Sequence, residues 1–379
     1  MYKTTEGNSM DNDRNTVSEE TADEKINIKP PYRAGRLYGK MTWIFSAVAV
    51  MMISASLIAA FLNLAIVYYA PAIAAQKWYT TALSGVSYYV FGAALAGIML
   101  LLSVPDGGIP SAKKISFGKF MKYLCVTMAF VLIGARVGDA VTWYIGKVVG
   151  HPIVNPVETA LDGASWIASS IVMIIAAPII EELIFRKLLI DRISPFGEKT
   201  AIFASALAFG LVHGNFSQFF YAFAIGLLFG YIYVKTRNIL YTIVLHMFVN
   251  GFCGVLSGYI TSKIDTDAIK SISEALENAS EEEAPQLIAE LAKYTGPVVA
   301  QWILSLATLG LAIAGIVFFI KGVKNVSLEK SRFDISAGNV RVAAYLNVGI
   351  IILYAVMTLS FIASLELQPE GVIAGAIIM

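Results

Sequence analysis

Charge is scarce in this sequence. Of its 379 residues, 15% are Asp, Glu, Lys or Arg, where soluble domains carry nearer a quarter. The formal net charge is +1, so no basic excess points to nucleic acid as a partner. Histidine is rarer still, with three in all, and there are two cysteines. Cys125 and Cys253 fall inside apolar stretches; they read as small buried hydrophobes and imply no disulfide framework. No His-Glu-x-x-His is present, hence no standard zincin helix. No Gly-x-Ser-x-Gly lies within an apolar run, which argues against a serine nucleophile. Self-similarity at a period of about 20–50 residues is also missing.

What the chain does have is apolar length. Its hydrophobic fraction is 57%, and the runs are long enough to cross a hydrocarbon core, which takes about 20 helical residues. Nine are expected, at roughly 42–70, 80–103, 118–146, 160–189, 200–214, 217–234, 239–261, 297–320 and 341–364. The reading is an all-α polytopic membrane protein. Residues 1–40 are polar and mixed in charge, and are expected to be a disordered leader. They show no cleavage-site pattern, so the first run reads as a span and not as a removed signal peptide. Spans within 41–155 and 297–379 flank a central unit at 160–255.

Loop charge gives an orientation. Arg33, Arg36 and Lys40 form a collar before the first span. Lys113/Lys114/Lys119, Arg186/Lys187/Arg192/Lys199, Lys235/Arg237 and Lys321/Lys324/Lys330/Arg332 then fall in alternate connections. These are expected on the cytoplasmic side, with the N-terminus inside and the C-terminus outside. The remaining connections are poor in Lys and Arg. The largest, 262–296, is acidic and carries Ile269, Ile272 and Leu276, then Leu287, Ile288 and Leu291, with Pro285 between. That pattern predicts an outer loop with two short amphipathic helices. Arg136 and Asp139 share a face of the third span and are expected to satisfy each other as a buried pair.

Two adjacent carboxylates, Glu181 and Glu182, follow the apolar run Trp166–Ile180. A carboxylate within a span costs about 2.5–3.5 kcal/mol on insertion scales, which makes it a candidate functional group. Glu182 and Arg186 are four apart and share a helical face, so they can neutralise each other. Glu181 lies about 100° further round and has no cation on its own face. Phe209-x-x-x-His213 and His246-x-x-x-Asn250 follow in later apolar runs. The fifth and sixth runs are separated only by His213-Gly214-Asn215-Phe216-Ser217, a tight turn. Counted from the Lys/Arg-rich ends of their helices, Glu181, His213, His246 and Asn250 all lie roughly 12–20 Å deep at about 1.5 Å per residue. Four polar groups from three helices therefore meet near one level.

Two chemistries suit such a group. Glu and His can hold and deprotonate a water, while a His N–H and an Asn amide are donors for the oxyanion formed at an attacked carbonyl. Alternatively Glu181, His213 and His246 supply three ligands to a catalytic Zn2+ with water in the fourth position. Both end in hydrolysis of an amide.

Glu181-Glu182-x-x-x-Arg186, Phe209-x-x-x-His213 and His246-x-x-x-Asn250, in this order, resemble the hallmark motifs of the CPBP family. These are intramembrane endopeptidases that include CAAX proteases and bacteriocin-processing, Abi-like proteins. The resemblance covers about 160–255. It implies a helical membrane core whose site opens toward the cytoplasm, with Glu181 and His213 activating water. It also implies that His246 and Asn250 form the oxyanion hole or complete a metal site, in a family described as metal-dependent. The expected partners are the bilayer and a membrane-associated peptide or protein substrate, and the expected location is a bacterial plasma membrane. Two other classes fit less well. A non-catalytic scaffold or bacteriocin immunity protein has no chemical need for an unpaired Glu beside two His. A proton-coupled transporter would be favoured by inverted repeats, and none is visible.

Overall fold

A computed structural model describes residues 29–106, 108–153 and 166–366. The expected disorder of residues 1–28, the start of the fourth run at 160–165 and the end of the chain from 367 lie outside the described residues. Within them the fold is all-α. Eight helices are long and apolar enough to cross a membrane. They are α1 (Ala34–Tyr69), α2 (Tyr79–Leu102), α3 (Phe117–Val149), α4 (Trp166–Phe196), α6 (Phe216–Thr236), α7 (Leu240–Thr261), α9 (Ala284–Val323) and α11 (Val348–Leu365). Between α4 and α6 stands α5, Glu198–Leu211. Its 14 residues give about 21 Å at 1.5 Å per residue, less than a full crossing, so the chain turns back early. With α5 the bundle has about nine spans. Helices satisfy their own backbone polar groups, which a hydrocarbon environment requires. The outer face fits that environment: Leu57, Phe61 and Leu64 on α1, and Ile303, Leu306 and Ile313 on α9, are exposed.

The first helix starts at Ala34, so the last seven residues of the expected leader are helical and carry Arg36 and Lys40 with them. The acidic connection contains α8, Thr266–Glu277. The second amphipathic helix is not separate. Residues 284–296 run directly into the following span as one 40-residue helix. Pro285 falls in its first turn, where a missing N–H costs nothing. The last expected span is broken instead: α10 (Ala337–Tyr345) ends before Asn347, whose side chain accepts from the Ile350 N–H and caps α11. The Arg136–Asp139 pair forms, at 3.3 Å, but both side chains lie on the outer surface of α3 and are not buried.

Small residues set the packing. Gly134 and Gly138 of α3 lie against the α6 backbone at Tyr221 and at Phe216–Ser217, and a Cβ at Gly138 would sit 2.8 Å from two carbonyl oxygens. Gly226 and Gly230 of α6 meet Ala206 and Ile202 of α5 in the same way. Both are small-xxx-small faces that let helices approach where lipid offers no hydrophobic driving force. The turn joining α5 and α6 uses Gly214 at φ 63, a left-handed conformation that glycine adopts readily. Asn215 then caps α6 by accepting from the Gln218 N–H.

The Lys/Arg-rich connections gather at one end of the bundle. The Lys113 N–H donates to Thr236 O, the Glu198 N–H to Glu329 O, and the Arg332 N–H to Pro195 O. Lys29 Nζ donates to Ser331 O. The collar, the second, fourth and sixth connections and the segment after α9 thus share an end, as alternate crossings require.

Candidate active site

Glu181, Glu182 and Arg186 stand on α4, Phe209 on α5, and His246 and Asn250 on α7. Helix α4 is irregular: Ile171–Ala176 and Leu183–Ile190 are wound as π-helix on either side of a regular turn, Ala177–Glu182. π-helical turns are frequent at functional sites. Pro178 opens the regular turn and has no N–H to return to the turn before it. Asn250, on α7, donates its Nδ2 amide to Met173 O in that preceding turn at 2.8 Å. One of Asn250's two amide hydrogens therefore supports α4, and among the described residues the other has no hydrogen-bond partner.

Glu182 and Arg186 are both fully buried and paired, with Arg186 Nε 3.0 Å from Glu182 Oε2. Arg186 also donates to Ser205 Oγ at 3.2 Å, and its guanidinium lies over the Phe209 ring, 4.4 Å from the centroid. This is a planar cation held by a carboxylate, a hydroxyl and an aromatic face, a combination that suits arginine and not lysine. The other Glu182 oxygen, Oε1, takes His246 Nδ1 at 3.2 Å. A carboxylate only accepts, so Nδ1 carries the proton and the Nε2 lone pair faces away. Nε2 stands 3.8 Å from Glu181 Oε2, beyond hydrogen-bond distance. The result is a buried series, Arg186–Glu182–His246–Glu181. Glu182 acts as the orienting group for the imidazole, a role that pairing at helical spacing with Arg186 does not reveal.

His213 lies in the turn after α5, with Nδ1 donating to Phe209 O at 2.8 Å, which leaves its Nε2 as the acceptor nitrogen. Both imidazoles pack edge-on to Phe209, with centroids at 5.1 Å for His213 and 5.7 Å for His246. Phe209 thus links the two histidines at one level, as the depth count expects. The Glu181, His213 and His246 side chains do not form a three-ligand metal centre as arranged: among the described residues no three His, Cys, Asp or Glu side chains gather closely enough to hold an ion.

The residue that sequence reasoning missed is Tyr89. Its hydroxyl donates to Glu181 Oε1 at 2.9 Å from α2. The one available signal was the adjacent pair Tyr88-Tyr89 within an apolar run, since a buried phenol normally finds an acceptor.

Comparison with known proteins follows the same geography. Residues 163–252 match the family described as Type II CAAX prenyl endopeptidase Rce1-like. That match covers about a quarter of the chain and includes all three motifs. The chain is 26% identical over 172 residues to "Putative membrane peptidase YdiL" of Bacillus subtilis (strain 168), an alignment covering 44% of this chain and 68% of that one. No solved structure matches. A buried carboxylate–histidine site in a helical membrane bundle and a family match over that same segment agree: through residues 163–252, this chain is similar to Rce1-like CAAX prenyl endopeptidases and, more broadly, to a membrane peptidase.

Proposed function

We infer that the protein is an intramembrane endopeptidase that hydrolyses a peptide bond in a membrane-associated peptide or protein, with Glu181 as the general base. The observation that carries this reading is the pair of acceptors, Glu181 Oε2 and the His246 Nε2 lone pair, 3.8 Å apart in a buried setting. Two acceptors at that separation suit a water that donates one hydrogen to each and keeps its lone pairs outward. As that oxygen bonds to the scissile carbonyl carbon, Glu181 takes the proton. The carbonyl oxygen becomes an oxyanion, for which the free Asn250 amide hydrogen is a donor. When the C–N bond breaks, Glu181 returns the proton to the leaving amine. Glu182 holds His246 in the required tautomer, and Arg186 holds Glu182.

This scheme places the chemistry on side chains alone. Purified protein in detergent should cleave a membrane-associated peptide equally well after exhaustive chelation and after zinc is restored. Activity that is lost on chelation and regained with zinc would require a metal step and overturn the side-chain scheme.

The basic end of the bundle is assigned to the cytoplasm, by the positive-inside rule. In a protein freed of Cys125 and Cys253, Ser271→Cys should label from outside intact cells. Asn325→Cys should label only after the membrane is opened. Both positions are exposed in the fold. Labelling of both from one side would contradict the assignment.

A further inference from the structure

The residues given roles in the hydrolysis come from the segment that matches a family. Tyr89 does not: it stands on α2, more than 70 residues before that segment begins. We propose that Tyr89 is a positioning residue for Glu181, supplied by the N-terminal helices, so that the active site extends beyond the matched segment. This rests on the proteolytic reading above.

Geometry carries the proposal. The Tyr89 hydroxyl is 2.9 Å from Glu181 Oε1, and the other carboxylate oxygen is the one that faces His246. Among the described residues, Tyr89 is the side chain at hydrogen-bond distance from Glu181. A carboxylate with one oxygen held by a donor cannot rotate freely, so the second oxygen stays aimed at the water. The contact is built into the packing of two helices that run side by side. A Cβ on Gly85 would meet the Val172 side chain at 3.1 Å, and one on Gly97 would meet the Ile184 side chain at 3.9 Å. Twelve residues separate each pair along its own helix, so α2 and α4 run in the same direction, with Tyr89 and Glu181 between those two contacts. Helix α2 is wound as π-helix over Val86–Gly92, which contains Tyr89. The wider turn changes which face Tyr89 presents.

The test compares Tyr89→Phe with the unmodified protein and with Tyr79→Phe. Tyr79 lies on the same helix and donates to Asn63 Oδ1 at 2.8 Å, so its loss is a purely structural control. Tyr89→Phe should lower kcat about 10- to 100-fold, the factor expected for one hydrogen bond to a charged group. KM should change by less than about twofold, because the bond acts on the reacting water and not on substrate binding. Tyr79→Phe should keep its kcat. Tyr89→His, which restores an N–H donor, should regain part of the rate lost in Tyr89→Phe. A Tyr89→Phe variant with unaltered kcat, or one whose kcat equals that of Tyr89→His, overturns the role of Tyr89 alone. No cleavage by the unmodified protein overturns the proteolytic reading and, with it, the role of Tyr89.

Discussion

Glu181→Gln should lower kcat by about 10²–10⁴-fold, the usual yield of a positioned general base, while the protein remains folded. Glutamine keeps the shape of the side chain and still accepts from Tyr89 through its carbonyl oxygen. It cannot take a proton from water. Among the described residues Glu181 has no ion-pair partner apart from the imidazole 3.8 Å away, so removing its charge strands no buried cation among them. The unfolding midpoint in detergent should therefore match that of the unmodified protein. Substrate binding should also be retained, which makes the variant a trap for substrates. Near-normal turnover in Glu181→Gln would remove the general-base assignment.

Arg186→Ala should show the opposite split. Glu182 is fully buried, and truncating its partner leaves a carboxylate in an apolar interior without its guanidinium. Breaking one half of a buried pair costs about 3–5 kcal/mol, enough to unfold much of the population or to lower the unfolding midpoint sharply. The guanidinium also fills the space over Phe209 and reaches Ser205, so Arg186→Lys should recover only part of the loss. Replacing both charges, Glu182→Leu with Arg186→Met, should restore much of the stability, because an apolar pair avoids the desolvation of two ions. It should not restore activity, since His246 Nδ1 then lacks its acceptor. Equal recovery of stability and turnover in that double variant would show that Glu182 does not orient the imidazole.

These variants mark what the sequence could and could not convey. Helical spacing identified the Glu182–Arg186 pair and left Glu181 on another face, because residues four apart share a face and adjacent ones do not. Counting residues from the basic helix ends placed His213, His246 and Asn250 near one depth, and Phe209 does join the two imidazoles. The second contact of Glu182 was not legible. A carboxylate has two oxygens, and spacing along one helix speaks only for partners on that helix; His246 arrives from α7. Asn250 was expected to serve an oxyanion, and half of its donor capacity goes to Met173 O, in the turn before Pro178. Tyr89 was beyond reach for a related reason. Its position depends on a π-helical turn and on glycine contacts between two helices, and hydropathy records neither. Pro285 shows the same limit within a single segment. Read as a breaker between two helices, it stands in the first turn of one, a position that only the path of the preceding chain decides.

The central claim is that Glu181 directs a water molecule onto a peptide bond. Cleavage of a membrane-associated peptide in H2(18)O, followed by mass spectrometry of the products, tests it most directly. The unmodified protein should yield two fragments, with one heavy oxygen in the newly formed carboxylate. Glu181→Gln, assayed beside it at equal folded concentration, should yield neither fragment above background. Equal product from the two proteins, or fragments whose new carboxylate lacks the heavy oxygen, would contradict the account.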